Sequence, residues 1–189
     1  MNNNPMLNIP NMLSLLRIAL IPIFILIFYT SLPNKGLICA LIFGLAGATD
    51  WLDGYLARKL NQTSKFGAFI DPVADKLIVA IALILLVVQQ PTIWFVLPAI
   101  IIIGREIVVS ALREWVAQVG SRGHLAVVTV AKYKTAAQML AIFLLLLVPA
   151  LSNTSQEVIL VLGYVLLYIA AILTLWSMVT YLNLARKDF

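Results

Sequence analysis

Long apolar stretches separated by short polar clusters run through the chain from end to end. Six of them have the length of membrane-crossing helices: about 12–30, 36–58, 70–89, 92–116, 126–149 and 156–183. About 20 apolar residues in a helix span a bilayer's hydrocarbon core. The breaks between them are turn chemistry. Asn11 is placed to cap the first helix after Ile9-Pro10, and Pro22 is expected to kink it. Pro33-Asn34 turns the chain into the second, Gln90-Pro91 divides the third from the fourth, and Ser152 to Ser155 divide the fifth from the sixth. The predicted class is all-α: a polytopic membrane protein with six transmembrane helices, forming a single domain over residues 1–189.

Composition sharpens this picture. Hydrophobic residues make up 62% of the chain and charged residues 11%, where a soluble domain has about half and about a quarter. The mean hydropathy is +1.02. Six spans use most of the chain, so no second soluble domain is expected. The single cysteine, Cys39, lies in an apolar run and has no partner for an internal disulfide. The first apolar run carries Arg17 and is followed by no small-x-small cleavage site, so it reads as a retained helix rather than a removed signal.

The 13 basic residues are distributed unevenly. Arg58, Lys59, Lys65 and Lys76 flank the loop after span two, and Arg113, Arg122, Lys132 and Lys134 flank the loop after span four. Arg186 and Lys187 follow span six, and Lys35 is on the opposite side. Cytoplasmic loops of membrane proteins collect Lys and Arg, so both termini and both basic loops are expected in the cytoplasm. An even number of spans requires the termini to share a side, in agreement. Part of this charge serves topology and anionic headgroups, and the rest is available for a substrate. No nucleic-acid partner is expected. Trp94, Trp115, Trp176 and Tyr181 read as interface anchors, and Arg122 and His124 as ordinary loop residues.

Spans two and three carry the anomaly. Asp50, Asp53, Asp71 and Asp75 are the acidic residues of positions 1–105. Asp50 and Asp53, three apart, share a helix face, as do Asp71 and Asp75, four apart. A short loop makes the two helices neighbours, so the four carboxylates are expected to converge. Such a cluster needs a cation. Carboxylates without His or Cys suit a hard ion such as Mg²⁺ or Mn²⁺, and a cluster of this kind can hold two ions that clamp a phosphoryl group. Gly54, Ala57 and Gly67 leave room for a ligand or a close helix. Arg58 offers a guanidinium fork to a phosphate, and Lys76 either a phosphate contact or an end that snorkels to the interface.

The string Asp50-x₂-Asp53-Gly54-x₂-Ala57-Arg58-x₈-Gly67-x₃-Asp71-x₃-Asp75 resembles the complete signature of the CDP-alcohol phosphotransferases, all eight fixed positions included. Other stretches are similar to the bacterial branch of that family that uses glycerol phosphate. They are Asn8-Ile9-Pro10-Asn11 running on to Arg17, Phe66 to Lys76, Gly104 to Ile107 with Ala111 to Trp115, and Lys132 to Gln138. The resemblance implies transfer of a phosphatidyl group from CDP-diacylglycerol to sn-glycerol 3-phosphate, in a multi-pass bacterial inner-membrane enzyme whose site faces the cytoplasm. It implies Asp50, Asp53 and Asp71 as metal ligands, and Asp75 as general base and further ligand. It also implies a homodimer.

Gly54, Arg58, Gly67, Asn8, Pro10, Asn11 and Thr49 are then the candidates for CDP-diacylglycerol. The acceptor's own phosphate calls for a second basic site, with Arg105, Arg113, Lys132 and Lys134 as candidates. Arg105 and Glu106 stand in an apolar stretch, which favours function or mutual pairing. Lys132 and Lys134 point to different helix faces. Thr135 and Gln138 read as helix–helix hydrogen bonds rather than ligands. Three rival readings share some of these features. A sister enzyme would use inositol phosphate, serine or phosphatidylglycerol as acceptor. A membrane prenyltransferase would need other aspartate spacing. A divalent-cation transporter would have no use for Arg58 beside its pathway.

Overall fold

The computed structural model of the chain describes residues 8–60, 64–119 and 128–185. Among these residues every regular element is helical. The order is α1 (Ile9–Tyr29), α2 (Lys35–Leu60), α3 (Lys65–Gln89), α4 (Ile93–Val119), α5 (Val128–Leu147) and α6 (Asn153–Ala185), with one 3₁₀ turn, Val148–Ala150, after α5. The expected helices are all present, and the differences lie at their ends.

Two of those ends correct the expected boundaries. α1 begins before Asn11, with Asn8 in the capping position and a proline in its first turn. Proline is well suited there, because its missing N–H would have had no helical partner. Asn11 is therefore inside the helix and does not cap it. α3 starts at Lys65 rather than near position 70, because the Ser64 hydroxyl accepts a hydrogen bond from the Gly67 amide at 2.9 Å. That cap satisfies one of the free first-turn donors and places Asp71 and Asp75 well inside the helix. α1 continues through Pro22 to Tyr29.

Five helices are long and apolar enough to cross a membrane: α1, α2, α4, α5 and α6. α3 is not among them. Its acidic and basic residues confine its uninterrupted apolar run to 77–88, a length typical of a buried core helix.

Polar contacts show that the helices run alternately up and down. At one end, α1 meets α2 and α3 through Arg17 and Ser14. There too α3 meets α4 through Lys76 and Ser110, α4 meets α5 through Glu106 and Lys134, and α4 meets α6 through Arg105 and Ser177. At the other end, Lys35 donates to the Phe28 carbonyl, and Tyr164 to Gln90. Between the two ends lies an apolar core including Phe24, Phe43, Leu83, Ile102, Ile142 and Leu167. Ala40, Ala46, Ala82, Ala141 and Ala170 are fully buried in it, small residues that let backbones approach where lipid is as apolar as the protein interior. Cys39 is buried there as well. Leu26, Trp94, Ile100, Val158 and Trp176 face outward.

Candidate active site

Every helix contributes polar side chains to the same end of the bundle, and the stripes that carry them are visible in the burial pattern. On α1 the buried positions Asn11, Ser14, Arg17, Ile21 and Phe24 recur every three or four residues, so one face is polar near the N-terminus and apolar further in. Arg17 is completely buried, and its guanidinium bridges two carboxylates of α2. Nη1 lies 2.7 Å from Asp50 and Nη2 pairs with Asp53. Asp53 is almost fully buried, whereas about half of the Asp50 side chain is exposed. Charges taken out of water need close partners of opposite sign, and Arg17 meets that need with two.

Ser14 ties the third helix to this group. Its hydroxyl contacts Asp71 of α3 and lies 3.4 Å from Asp53 of α2. Asp53 and Asp71 thus reach one small group from two helices. Further along, Asn11 exchanges hydrogen bonds with Ser64 at 2.9 and 3.1 Å. A β-carbon on Gly67 would stand 2.5 Å from the Asn11 amide oxygen, so only glycine permits this contact. A β-carbon on Gly54 would meet nothing within 4 Å, which leaves the aspartate face of α2 open.

Asp75 faces a different space. With Pro72, Lys76 and Val79 of α3 it lines a cavity of about 310 Å³. Arg105 and Glu106 of α4, and Lys134, Thr135, Gln138 and Met139 of α5, complete the wall. Three basic and two acidic side chains therefore face it. Glu106 organises the basic ones, accepting from Lys134 at 2.5 Å and from Arg105 at 3.1 Å. Arg105 also donates to Ser177 of α6 at 2.6 Å, and Lys76 to Ser110 of α4 at 2.5 Å. The cavity pairs a carboxylate able to accept a proton with cations able to hold an anion.

Most of the predicted residues gather here. Asp50, Asp53 and Asp71 meet α1, and Asp75, Arg105 and Lys134 line the cavity. Asn11 and Pro10 are buried beside the acidic group, Pro10 through its carbonyl, which accepts from Ser14 at 3.2 Å. Asn8 stands at the start of α1 and makes no side-chain cap. The Thr49 hydroxyl bonds the Ala46 carbonyl of its own helix at 2.8 Å. The side chains of Arg58, Ala57, Arg113, Lys132 and Tyr181, and residues Arg122 and His124 altogether, lie outside the described residues.

Sequence reasoning missed Ser14 and gave Arg17, noted in the first apolar run and in the stretch from Asn8, no part in the acidic site. It also read Gln138 and Thr135 as helix–helix contacts, whereas both line the cavity. Burial spacing was the available signal: Ser14 and Arg17 fall in register with Ile21 and Phe24, and Gln138 falls one turn after Lys134.

Among the described residues no three His, Cys, Asp or Glu side chains form a ready metal cage. Arg17 counter-charges Asp50 and Asp53. The donor set nevertheless fits a hard divalent cation: carboxylate and hydroxyl oxygens alone, with Asp53 and Asp71 brought to a common point.

Comparison with known proteins bears on this site. The sequence model of the CDP-alcohol phosphatidyltransferase family matches residues 7–176. A protein of Pectobacterium atrosepticum is 51% identical over 96% of this chain and 96% of its own length. One of Haemophilus influenzae is 52% identical over 95% and 94%, and one of Pseudomonas fluorescens 54% identical over 95% and 90%. Each of the three relatives is a CDP-diacylglycerol–glycerol-3-phosphate 3-phosphatidyltransferase.

Proposed function

The chain belongs to the CDP-alcohol phosphatidyltransferase family, and we propose that it works where its six helices gather their charged side chains. It transfers the phosphatidyl group of CDP-diacylglycerol to sn-glycerol 3-phosphate, giving phosphatidylglycerol phosphate and CMP, on the route to anionic phospholipids. The observation that carries this reading is half-identity, over nearly the whole chain, to enzymes that bear that reaction in their names. The cavity beside Asp75 adds to it, since its basic wall suits a phosphorylated acceptor.

The chemistry follows from the residues. Glycerol 3-phosphate seats its phosphate against Lys134 and Arg105, which Glu106 and Ser177 hold in place. One hydroxyl then points to Asp75, which accepts its proton as the oxygen attacks the phosphorus that bears diacylglycerol. The bond from that phosphorus to the bridging oxygen breaks, and CMP leaves with the oxygen. Asp50, Asp53, Asp71 and Asp75 would hold Mg²⁺ or Mn²⁺, two ions by our reading, which when bound would neutralise the diphosphate. Arg17 keeps Asp50 and Asp53 in place from α1. The open face at Gly54, the fork of Arg58, and Asn8, Pro10, Asn11, Thr49 and Gly67 are assigned to the nucleotide lipid.

Six spans with both termini in the cytoplasm fit the alternation of the helices and the basic loops, with α3 shielded by its neighbours. The active end then faces the cytoplasm of a bacterial inner membrane, where a water-soluble acceptor meets a lipid donor. The chain forms one domain and works as a homodimer. The test is CMP release by purified protein with CDP-diacylglycerol and each of glycerol 3-phosphate, inositol phosphate, serine and phosphatidylglycerol. Glycerol 3-phosphate should support turnover, EDTA should abolish it, and Mg²⁺ or Mn²⁺ should restore it. Preference for another alcohol would reject the acceptor, and full activity in EDTA would reject the metal.

A further inference from the structure

The mechanism leaves Gln138 without a task. It lies one turn after Lys134 on the same face of α5, is only 4% exposed, and lines the cavity that contains Asp75. Its Oε1 has no hydrogen-bond partner among the described residues. Buried polar atoms nearly always have partners, so an exception in the wall of a binding cavity points to a ligand. We propose that Gln138 is a specificity-determining residue whose amide oxygen accepts a hydrogen bond from the acceptor hydroxyl that does not attack.

This rests on the reading above and deepens it. Glycerol 3-phosphate carries one phosphate and two hydroxyl groups. The phosphate is matched by Lys134 and Arg105, and the attacking hydroxyl by Asp75. The hydroxyl on the middle carbon still needs an acceptor. Glu106 already accepts from both Lys134 and Arg105, whereas the Gln138 oxygen, in the wall of the same cavity, has no partner among the described residues. The cavity, about 310 Å³, is at the small end of the range for ligand sites and suits a short polyol phosphate. A site built to bond a hydroxyl also rejects an analogue that lacks it, because the buried amide is then left without a partner.

The experiment compares kcat/KM for glycerol 3-phosphate with that for 3-hydroxypropyl phosphate, which lacks the middle hydroxyl, at saturating CDP-diacylglycerol. The wild-type protein should prefer glycerol 3-phosphate by roughly 10- to 100-fold. Gln138→Leu and the near-isosteric Gln138→Met should lose most of that preference, through a poorer kcat/KM for glycerol 3-phosphate alone. Their KM for CDP-diacylglycerol should not change. Variants that keep the wild-type ratio, at whatever absolute rate, overturn the inference. So does a wild-type protein that uses both acceptors equally, a result that needs no variant to fold. If the wild type releases no CMP with glycerol 3-phosphate, the functional reading fails and takes this inference with it. Normal release with an unaltered ratio in the variants sinks the inference alone.

Discussion

Arg17 is the residue on which the acidic site depends most. It is the largest of the fully buried side chains among the described residues, and it sits between Asp50 and Asp53. Removing one partner of a buried ionic group leaves the others uncompensated, which costs about 3–5 kcal/mol. Arg17→Met keeps much of the volume and removes the charge. It should lower the unfolding free energy in detergent micelles by roughly that amount, measured by chemical denaturation, and the loss should far exceed that of the outward-facing Leu16→Ala beside it. A loss under about 1 kcal/mol, the scale of an exposed pair, would show that the ion pairs contribute little to the folded state. The spacing of Arg17 from Ile21 was readable in the chain, but its partners were not, because they lie 33 and 36 positions away.

At the scale of elements, the meeting of α1 with α3 depends on a hydrogen-bonded lock between Asn11 and Ser64, with Gly67 beneath it. Ser64 serves twice, capping α3 and bonding α1. A methyl group at position 67 would displace the Asn11 amide, and overpacking of this kind costs about 1–3 kcal/mol. Gly67→Ala should therefore lower the melting temperature in the wild-type background and lower it much less in an Asn11→Ala background. A double-mutant cycle measures the difference, and additive effects would separate the two residues. The helices themselves were legible from apolar run length. Their first turns were not, because Asn8 and Ser64 look no more like caps than Asn11 does until the tertiary partners are known.

The whole molecule works through its alternating helices, which bring together polar ends that are far apart in the chain. α3 is the element whose span is at issue, since its apolar run is short and its charged half is shared with the site. If it crosses the membrane, position 59 in the last turn of α2 and position 92 before α4 lie on opposite sides. In a Cys39→Ala background, Lys59→Cys should react with an impermeant maleimide from the cytoplasmic face alone, and Thr92→Cys from the outer face alone. Both native side chains are exposed, so labelling tests sidedness rather than access. Labelling of both from one face would overturn the six-span topology.

The sequence by itself determined the helical class, the order of the helices and the residue types of the site. Those features are local: apolar run length sets a helix, and Asp50, Asp53, Asp71 and Asp75 declare themselves by periodic spacing as the acidic residues of positions 1–105. Only the tertiary structure decided which charges meet. It assigned Arg17 and Ser14 to the aspartates, tied Lys134 and Arg105 through Glu106, and turned Gln138 into the wall of a cavity. The reason is physical: a polar residue in an apolar helix must find a partner, but the choice of partner is made by packing across helices, at separations that no local pattern encodes.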